Sequence, residues 1–158
     1  MKTLIIYASR HGSAQKCAEQ IQQGLEESPE VVNFKKSRRL NLAEFDMVII
    51  GGSIHAGHIQ KKVKTFCQTN LTKLKKKKLG LFVCCMEEGE KAEQQFKDAF
   101  HEELIQHATA TGLFGGEFNF EKMNFFEKAI VKKVAHVEST VSKISEQKVN
   151  QFIQQMNR

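Results

Sequence analysis

Residues 3–21 read TLIIYASRHGSAQKCAEQI, and the way this stretch divides decides the fold. Thr3–Ala8 is a short, unbroken apolar run, the pattern of a strand covered on both faces. Ala14–Glu27 then carries apolar residues at Ala14, Cys17, Ala18, Ile21 and Leu25, a single helical stripe. Between them lies a polar turn with two hydroxyls, two basic side chains and a glycine. Such a strand-to-helix turn is where many α/β proteins receive an anion.

The alternation continues outward. Pro29 stops the first helix, and Val31–Phe34 forms a second short strand. Leu42–Phe45 reads as a brief helical or irregular turn. Asp46–Gly51 is a third strand, nearly all apolar, ended by two glycines. Ile59–Gln68 has helical spacing, with Val63, Phe66 and Cys67 on one side. Leu79–Cys85 is a fourth apolar strand, and Glu90–Gln106 reads as one long helix with Ala92, Phe96, Ala99, Phe100 and Leu104 facing inward. Ala108–Gly116 is a fifth strand, followed by helical patterns over Lys122–Val134 and Ser145–Met156. No repeat or linker interrupts the series. Buried strands alternating with helices predict an α/β fold with a three-layer, doubly wound, five-stranded parallel sheet, in a single domain over residues 1–158. Ligands of such sheets bind at the carboxyl ends of the strands, where the strand order reverses.

The 158 residues include 24 Lys and Arg against 18 Asp and Glu, a net charge of +6, so the surface favours anionic partners. The densest basic stretch, Lys75–Lys78, reads as a solvated turn before a strand. No zinc-finger spacing, aromatic RNA-binding signature or helix-turn-helix supports a nucleic-acid partner. Cys17, Cys67, Cys84 and Cys85 have no Cys-x-x-Cys spacing and sit inside periodic segments, as in a reduced cytoplasmic protein. Apolar runs are too short to span a membrane, and Met1-Lys2 leads into a strand rather than a signal-peptide pattern.

Three loops follow the first, third and fourth strands. The first, Ser9, Arg10, His11, Gly12, Ser13 and Ala14, joins hydroxyls and a glycine to free helix amides, which suits a phosphate. It is neither a dinucleotide fingerprint nor a P-loop, and helix capping alone is the competing reading. The second, Gly52–His58, has a further Ala56-Gly57 pair where backbone can pass close to a flat ligand. Its His55 and His58 lack a carboxylate or thiol at coordinating spacing, a poor zinc signature, so no metal is expected. The third, Met86–Gly89, carries Glu87 and Glu88, read as loop surface. No side chain stands out as a catalytic acid or base.

On the Tyr7–Ala14 turn and the Phe45–Gly51 strand the chain resembles a flavodoxin along nearly its whole length. More narrowly, Gly51-Gly52-Ser53-Ile54-His55-Ala56-Gly57-His58 is similar to the G-x-S-I-x-x-G-H stretch of the menaquinone-dependent protoporphyrinogen dehydrogenase group. The resemblance implies strand order 2-1-3-4-5 and FMN as cofactor. It places Ser9, Arg10, His11, Gly12, Ser13 and Ala14 around the phosphate, and Ser53, Ile54, His55, Ala56 and Gly57 along the isoalloxazine ring. Cys85, Met86, Glu87 and Gly89 fall on the ring's other side, and a backbone group near Gly57 faces flavin N5. Flavodoxins commonly sandwich the ring with Trp or Tyr. This chain has no Trp, and its one Tyr lies in the first strand, so weaker stacking is expected.

Residues 118–134 look like the aromatic, basic helical insertion of the protoporphyrinogen dehydrogenases. Phe118, Phe120, Met123, Phe125, Phe126, Ile130 and Val131 alternate with Lys122, Lys128, Lys132 and Lys133. A basic amphipathic helix can lie on an anionic membrane surface, where quinones reside, which would make the protein peripheral at the inner face. The plainer reading is a helix whose apolar side covers the sheet. The expected function is that of an FMN-binding oxidoreductase passing electrons from a reduced donor to a quinone or a redox protein. A soluble flavodoxin-type carrier is one alternative, and a basic membrane- or polyanion-binding module with a decayed flavin site is another.

Overall fold

The apolar run at the start of the chain becomes β1 (Thr3–Tyr7), buried along its whole length. In the computed structural model, which describes residues 1–36, 39–118, 124–135 and 141–158, β1 is the centre of the topology. It pairs in parallel with β2 (Glu30–Asn33) on one side and β3 (Met47–His55) on the other. β3 then pairs in parallel with β5 (Lys78–Cys84), and β5 with β6 (Ala110–Leu113). The order β2-β1-β3-β5-β6 is 2-1-3-4-5 when only the parallel strands are counted, as expected. The extra strand β4 (His58–Ile59) pairs antiparallel with the end of β3. The chain reverses direction across the sheet between β1 and β3, which opens the binding crevice there.

Alternation along the strands feeds two apolar layers. Leu4, Ile6, Val48, Ile50, Leu79, Leu81 and Val83 face one side, packed with Val63, Cys67, Leu74, Phe96 and Leu104 from α2 (Lys61–Thr69), α3 (Leu71–Leu74), α4 (Gly89–Ala99) and α5 (Glu102–His107). Ile5, Ile49 and Phe82 face the other, under α1 (Ser13–Gly24) and the last helix of the chain at Glu146–Asn157. On this second side three rings share a floor of glycines. Phe82 stacks on Phe114 at 5.3 Å between centroids, and Phe152 meets Phe114 edge-on at 5.4 Å. Gly51 and Gly112 are Phe82's register partners on the neighbouring strands. A Cβ on Gly51 would fall 2.0 Å from the Phe82 ring, one on Gly112 2.3 Å from Phe114, and one on Gly80 2.7 Å from Phe152. The missing side chains are what let the rings lie flat on the sheet.

Two expectations are corrected. The stretch Glu90–Gln106 is not one helix, because Phe100 and His101 are extended and His101 Nδ1 caps α5 by accepting from the Glu103 amide. The inward stripe had hidden this break, since Phe100 stays buried across it and packs on Phe96. The glycine pair does not end the third strand either. Gly52 and Ser53 continue the parallel ladder opposite Val83 and Cys84, and Ile54 and His55 turn into the β4 hairpin. Gly52 has room for no side chain, because Ile59 and the Gln60 amide lie 2.7–2.8 Å from where its Cβ would be.

Beyond β6 the chain forms a two-stranded antiparallel ribbon, β7 (Glu117–Phe118) with β8 (Val141–Ser142). Between its strands runs α6 (Phe125–Ala135), and α7 is the Glu146–Asn157 helix that follows. Of the aromatic, basic segment, Phe120, Lys122 and Met123 lie outside the described residues. Among the described residues no helix is long and apolar enough to cross a membrane.

Candidate functional site

The turn after β1 is built by one hydroxyl. Ser9 Oγ accepts the Gly12 amide at 3.0 Å, and Gly12 takes the left-handed conformation at φ 98°. Gly12 is also the N-cap of α1, with its carbonyl accepting from the Lys16 amide. The amides of Ser13, Ala14 and Gln15 therefore lack an intrahelical acceptor, and no side chain caps them. Together with the helix dipole they favour an anion.

The loop after β3 is a tight hairpin. His55 and His58 pair across it, and Ala56 and Gly57 occupy its tip at φ 49° and 81°. Two central residues at positive φ are what a two-residue hairpin turn of this hand needs, and glycine meets that need without strain. Ala56 holds the conformation against its side-chain preference. The hairpin is pinned from outside: Gln60 donates to Ser53 Oγ at 2.7 Å and accepts from the Ser53 amide at 3.1 Å.

These loops and the one after β5 enclose a cavity of about 610 Å³ at the carboxyl ends of the strands. Arg10, His11, Ser13, Ser53, Ile54, His55, Ala56, Gly57, Cys85, Met86 and Glu87 border it. Ser9 is spent holding Gly12, and Ala14 is fully buried beneath the loop. Gly89 lines a separate cavity of about 420 Å³. Tyr7 is buried in the core among the α1 residues and does not border the larger cavity.

A family model described as a flavodoxin domain matches residues 4–145. The chain belongs to the flavodoxin-domain family. Among solved structures it is similar to two-electron reduced flavodoxin from Megasphaera elsdenii, at 23% identity and TM-score 0.52 over 70% of this chain and 84% of that one. A WrbA-like flavodoxin from Agrobacterium tumefaciens matches at 16% identity and TM-score 0.57 over 99% and 93%. Oxidised Flavodoxin 1 from Bacillus cereus matches at 17% identity and TM-score 0.54 over 99% and 95%. No curated protein sequence matches the chain.

In this flavodoxin domain the cavity wall also contains residues that sequence reasoning missed. Gln95 of α4, Glu117 of β7, and Glu127, Ile130 and Val131 of α6 all border it. Glu127 reaches the phosphate-type loop, with its carboxylate 2.5 Å from His11 Nε2 and 3.1 Å from Arg10 Nε. Glu117 is almost wholly buried and pairs with Lys16 of α1 at 2.8 Å. The signal in the sequence that could have found Glu127 is Asn124-x-x-Glu127, the spacing of a helix start. The buried thiols of Cys84 and Cys17 lie 3.5 Å apart under the loop. Their mutual hydrogen bond, and then burial, push the Cys84 thiol up, so it is not an activated nucleophile.

His55, on the hairpin side of the wall, is shifted the other way. Its ring meets His11 edge-on at 5.2 Å. Burial first, then the charges of His11 and Arg10, push it down to about 4 against the partial opposition of Glu127. An unfolded chain takes up this proton near pH 6.5, whereas the folded one resists it down to about 4. His55 therefore contributes stability above pH 6.5 that is lost as pH falls toward 4. After discounting for its partial exposure, this amounts to about 2 kcal/mol. Urea melts at pH 7 and 4.5 are expected to show that loss in the wild type, and to show it reduced by that amount in His55→Gln. An equal pH dependence in the two proteins would remove the assignment.

Proposed function

We propose that this flavodoxin domain binds FMN in the larger cavity and acts as a quinone-linked oxidoreductase similar to the protoporphyrinogen dehydrogenases. The observation that carries the reading is the placement of α6. Ile130 and Val131 border the cavity, while Phe125 and Phe126 on the same helix are 80% and 76% exposed. A lipophilic acceptor held at a membrane surface would thus have an apolar route to the cavity mouth. Exposed rings beside Lys128, Lys132 and Lys133 suit an anionic bilayer.

The residues present fit the cofactor. The cavity lies in the size range of small-molecule sites. The α1 amides supply anion donors, and His11 Nδ1 is buried without a partner, so the loop has polar capacity to spare. Apart from its chain neighbours, no atom lies within 4 Å of where a Gly57 Cβ would be, so this side of the hairpin tip is open to a flat ring. Ser9–Ala14 would hold the phosphate, with Ser53–Gly57 and Cys85, Met86 and Glu87 beside the ring, while Gly89 faces the neighbouring cavity. When bound, FMN supplies the electron transfer that no side chain here offers. The chain's part is position and electrostatics. Gln60 fixes Ser53 and hence the hairpin, the hairpin presents Gly57, and neutral His55 beside His11 keeps added positive charge out of the wall.

The test uses FMN-loaded protein, reduced anaerobically and mixed with a menaquinone analogue in phosphatidylglycerol vesicles. Reoxidation by quinone supports the proposal; reoxidation by protein acceptors alone favours the soluble carrier, and failure to hold flavin favours the decayed-site module. The double change Phe125→Ser and Phe126→Ser is expected to weaken vesicle binding about tenfold with little change in melting temperature, because rings already exposed have little burial to lose. A large melting shift without vesicle binding would sink the membrane route.

A further inference from the structure

The contact between α6 and the loop after β1 uses the Arg10 guanidinium and the His11 ring, groups a phosphate would need. Asn124 caps α6, accepting the Glu127 amide at 2.9 Å. In a capping box the Glu at this position turns back to the N-cap amide. Here its carboxylate instead crosses to Arg10 and His11. His11 is 7% exposed and Glu127 20%, so the pair is poorly screened by solvent. Burial raises the Glu127 carboxyl, yet His11 and Arg10 together outweigh it and hold the group below its ordinary range.

Two further lysines among the described residues are engaged elsewhere: Lys16 pairs with Glu117, and Lys143 lies 3.8 Å from Glu88. A dianion seated on the α1 amides would therefore meet a carboxylate already holding the loop's own positive charge. On α6, Phe125 and Phe126 are exposed, and Ile130 at the cavity border is exposed too, so much of the helix's apolar surface is not committed to the core. Among the described residues, the Glu127 ion pair joins the helix's first turn to the loop after β1.

We propose that Glu127 is an internal competitor for the phosphate end of the cofactor, holding Arg10 and His11 until a phosphate monoester displaces it, so that ligand affinity and the docking of α6 oppose each other. This rests on the FMN reading above and assigns Glu127 as a residue that sets affinity and selectivity at that site. Removing its charge relieves repulsion of FMN but leaves riboflavin, which has no phosphate, indifferent.

Fluorescence titrations of FMN and riboflavin into wild type, Glu127→Gln and Glu127→Ala test it, with melting curves showing that each variant is folded. FMN binding is expected to tighten about tenfold or more in Glu127→Gln, with riboflavin changing less than about twofold. Unchanged or weaker FMN binding in both variants overturns the proposal. Tryptic cleavage at Lys128, Lys132 and Lys133 gives a second readout: FMN speeds it in the wild type if α6 is released, and protection by FMN overturns the idea. If no form binds FMN, the cofactor reading fails on its own, and inorganic phosphate becomes the probe. His11 imidazole signals that shift at lower phosphate in Glu127→Gln than in wild type support the competition, and equal midpoints overturn it.

Discussion

A chain carrying Gly12→Val is expected to bind FMN no better than riboflavin. In the wild type the phosphate adds charge-assisted hydrogen bonds from the α1 amides, and two of these at ~1.5 kcal/mol each give a preference on the order of 100-fold. That geometry depends on Gly12 at φ 98°, where its amide reaches Ser9 Oγ and its carbonyl starts the helix. A β-branched residue cannot hold this conformation without strain of about 1–3 kcal/mol, so the turn re-forms and the amides lose their convergence. Gly12→Asn is the control, because asparagine tolerates the left-handed region and is expected to retain much of the preference. Paired fluorescence titrations on the three proteins check the result. Full FMN selectivity in Gly12→Val would show that the phosphate is held elsewhere.

The second large effect is on stability. Gly51→Ala places a Cβ where the Phe82 ring now lies, 2.0–2.3 Å from three of its carbons. Phe82 has nowhere to retreat, since Phe114 stacks on it and Phe152 closes the cluster. Displacing it forfeits aromatic burial, a cost of at least about 3 kcal/mol. Phe82→Ala alone is expected to cost about 3–5 kcal/mol. The double variant is then expected to be no worse than Phe82→Ala, because the clash disappears with the ring. Urea denaturation of the set measures the coupling. Additive losses would mean that the glycine floor does not serve the rings.

Much of this architecture was legible because it depends on local pattern. β1, β3 and β5 are apolar runs buried on both faces, and α1 carries its stripe in a sequence of otherwise polar residues. Reading failed where tertiary context overrode a local signal. Gly51 and Gly52 look like a strand end, yet they lie inside β3 because Phe82 and Gln60 occupy the space their side chains would fill. Phe100 continues a helical stripe, yet it is extended because His101 restarts the helix. In the site, the turn at Gly12 and the hairpin at Gly57 announce themselves through residue types that special backbone angles require. Glu117 and Glu127 did not. Each is one acidic residue in a charged stretch, meeting its partner across more than a hundred residues of chain, and no periodicity encodes such a meeting.

The β7–β8 ribbon has a bearing on how this domain could have acquired α6. Its register, Glu117 opposite Ser142 and Phe118 opposite Val141, brings the two ends of the intervening chain side by side. A segment whose ends are already clasped adds little to the closure entropy of the whole, because that cost grows only with the logarithm of its length. The parallel sheet is complete before the clasp and α7 packs back after it, so neither depends on what the clasp encloses. Such a stem is a graft point. Excursions of different length and chemistry can be exchanged there while the parallel sheet keeps its order, each rebuilding the part of the cavity wall that α6 now supplies.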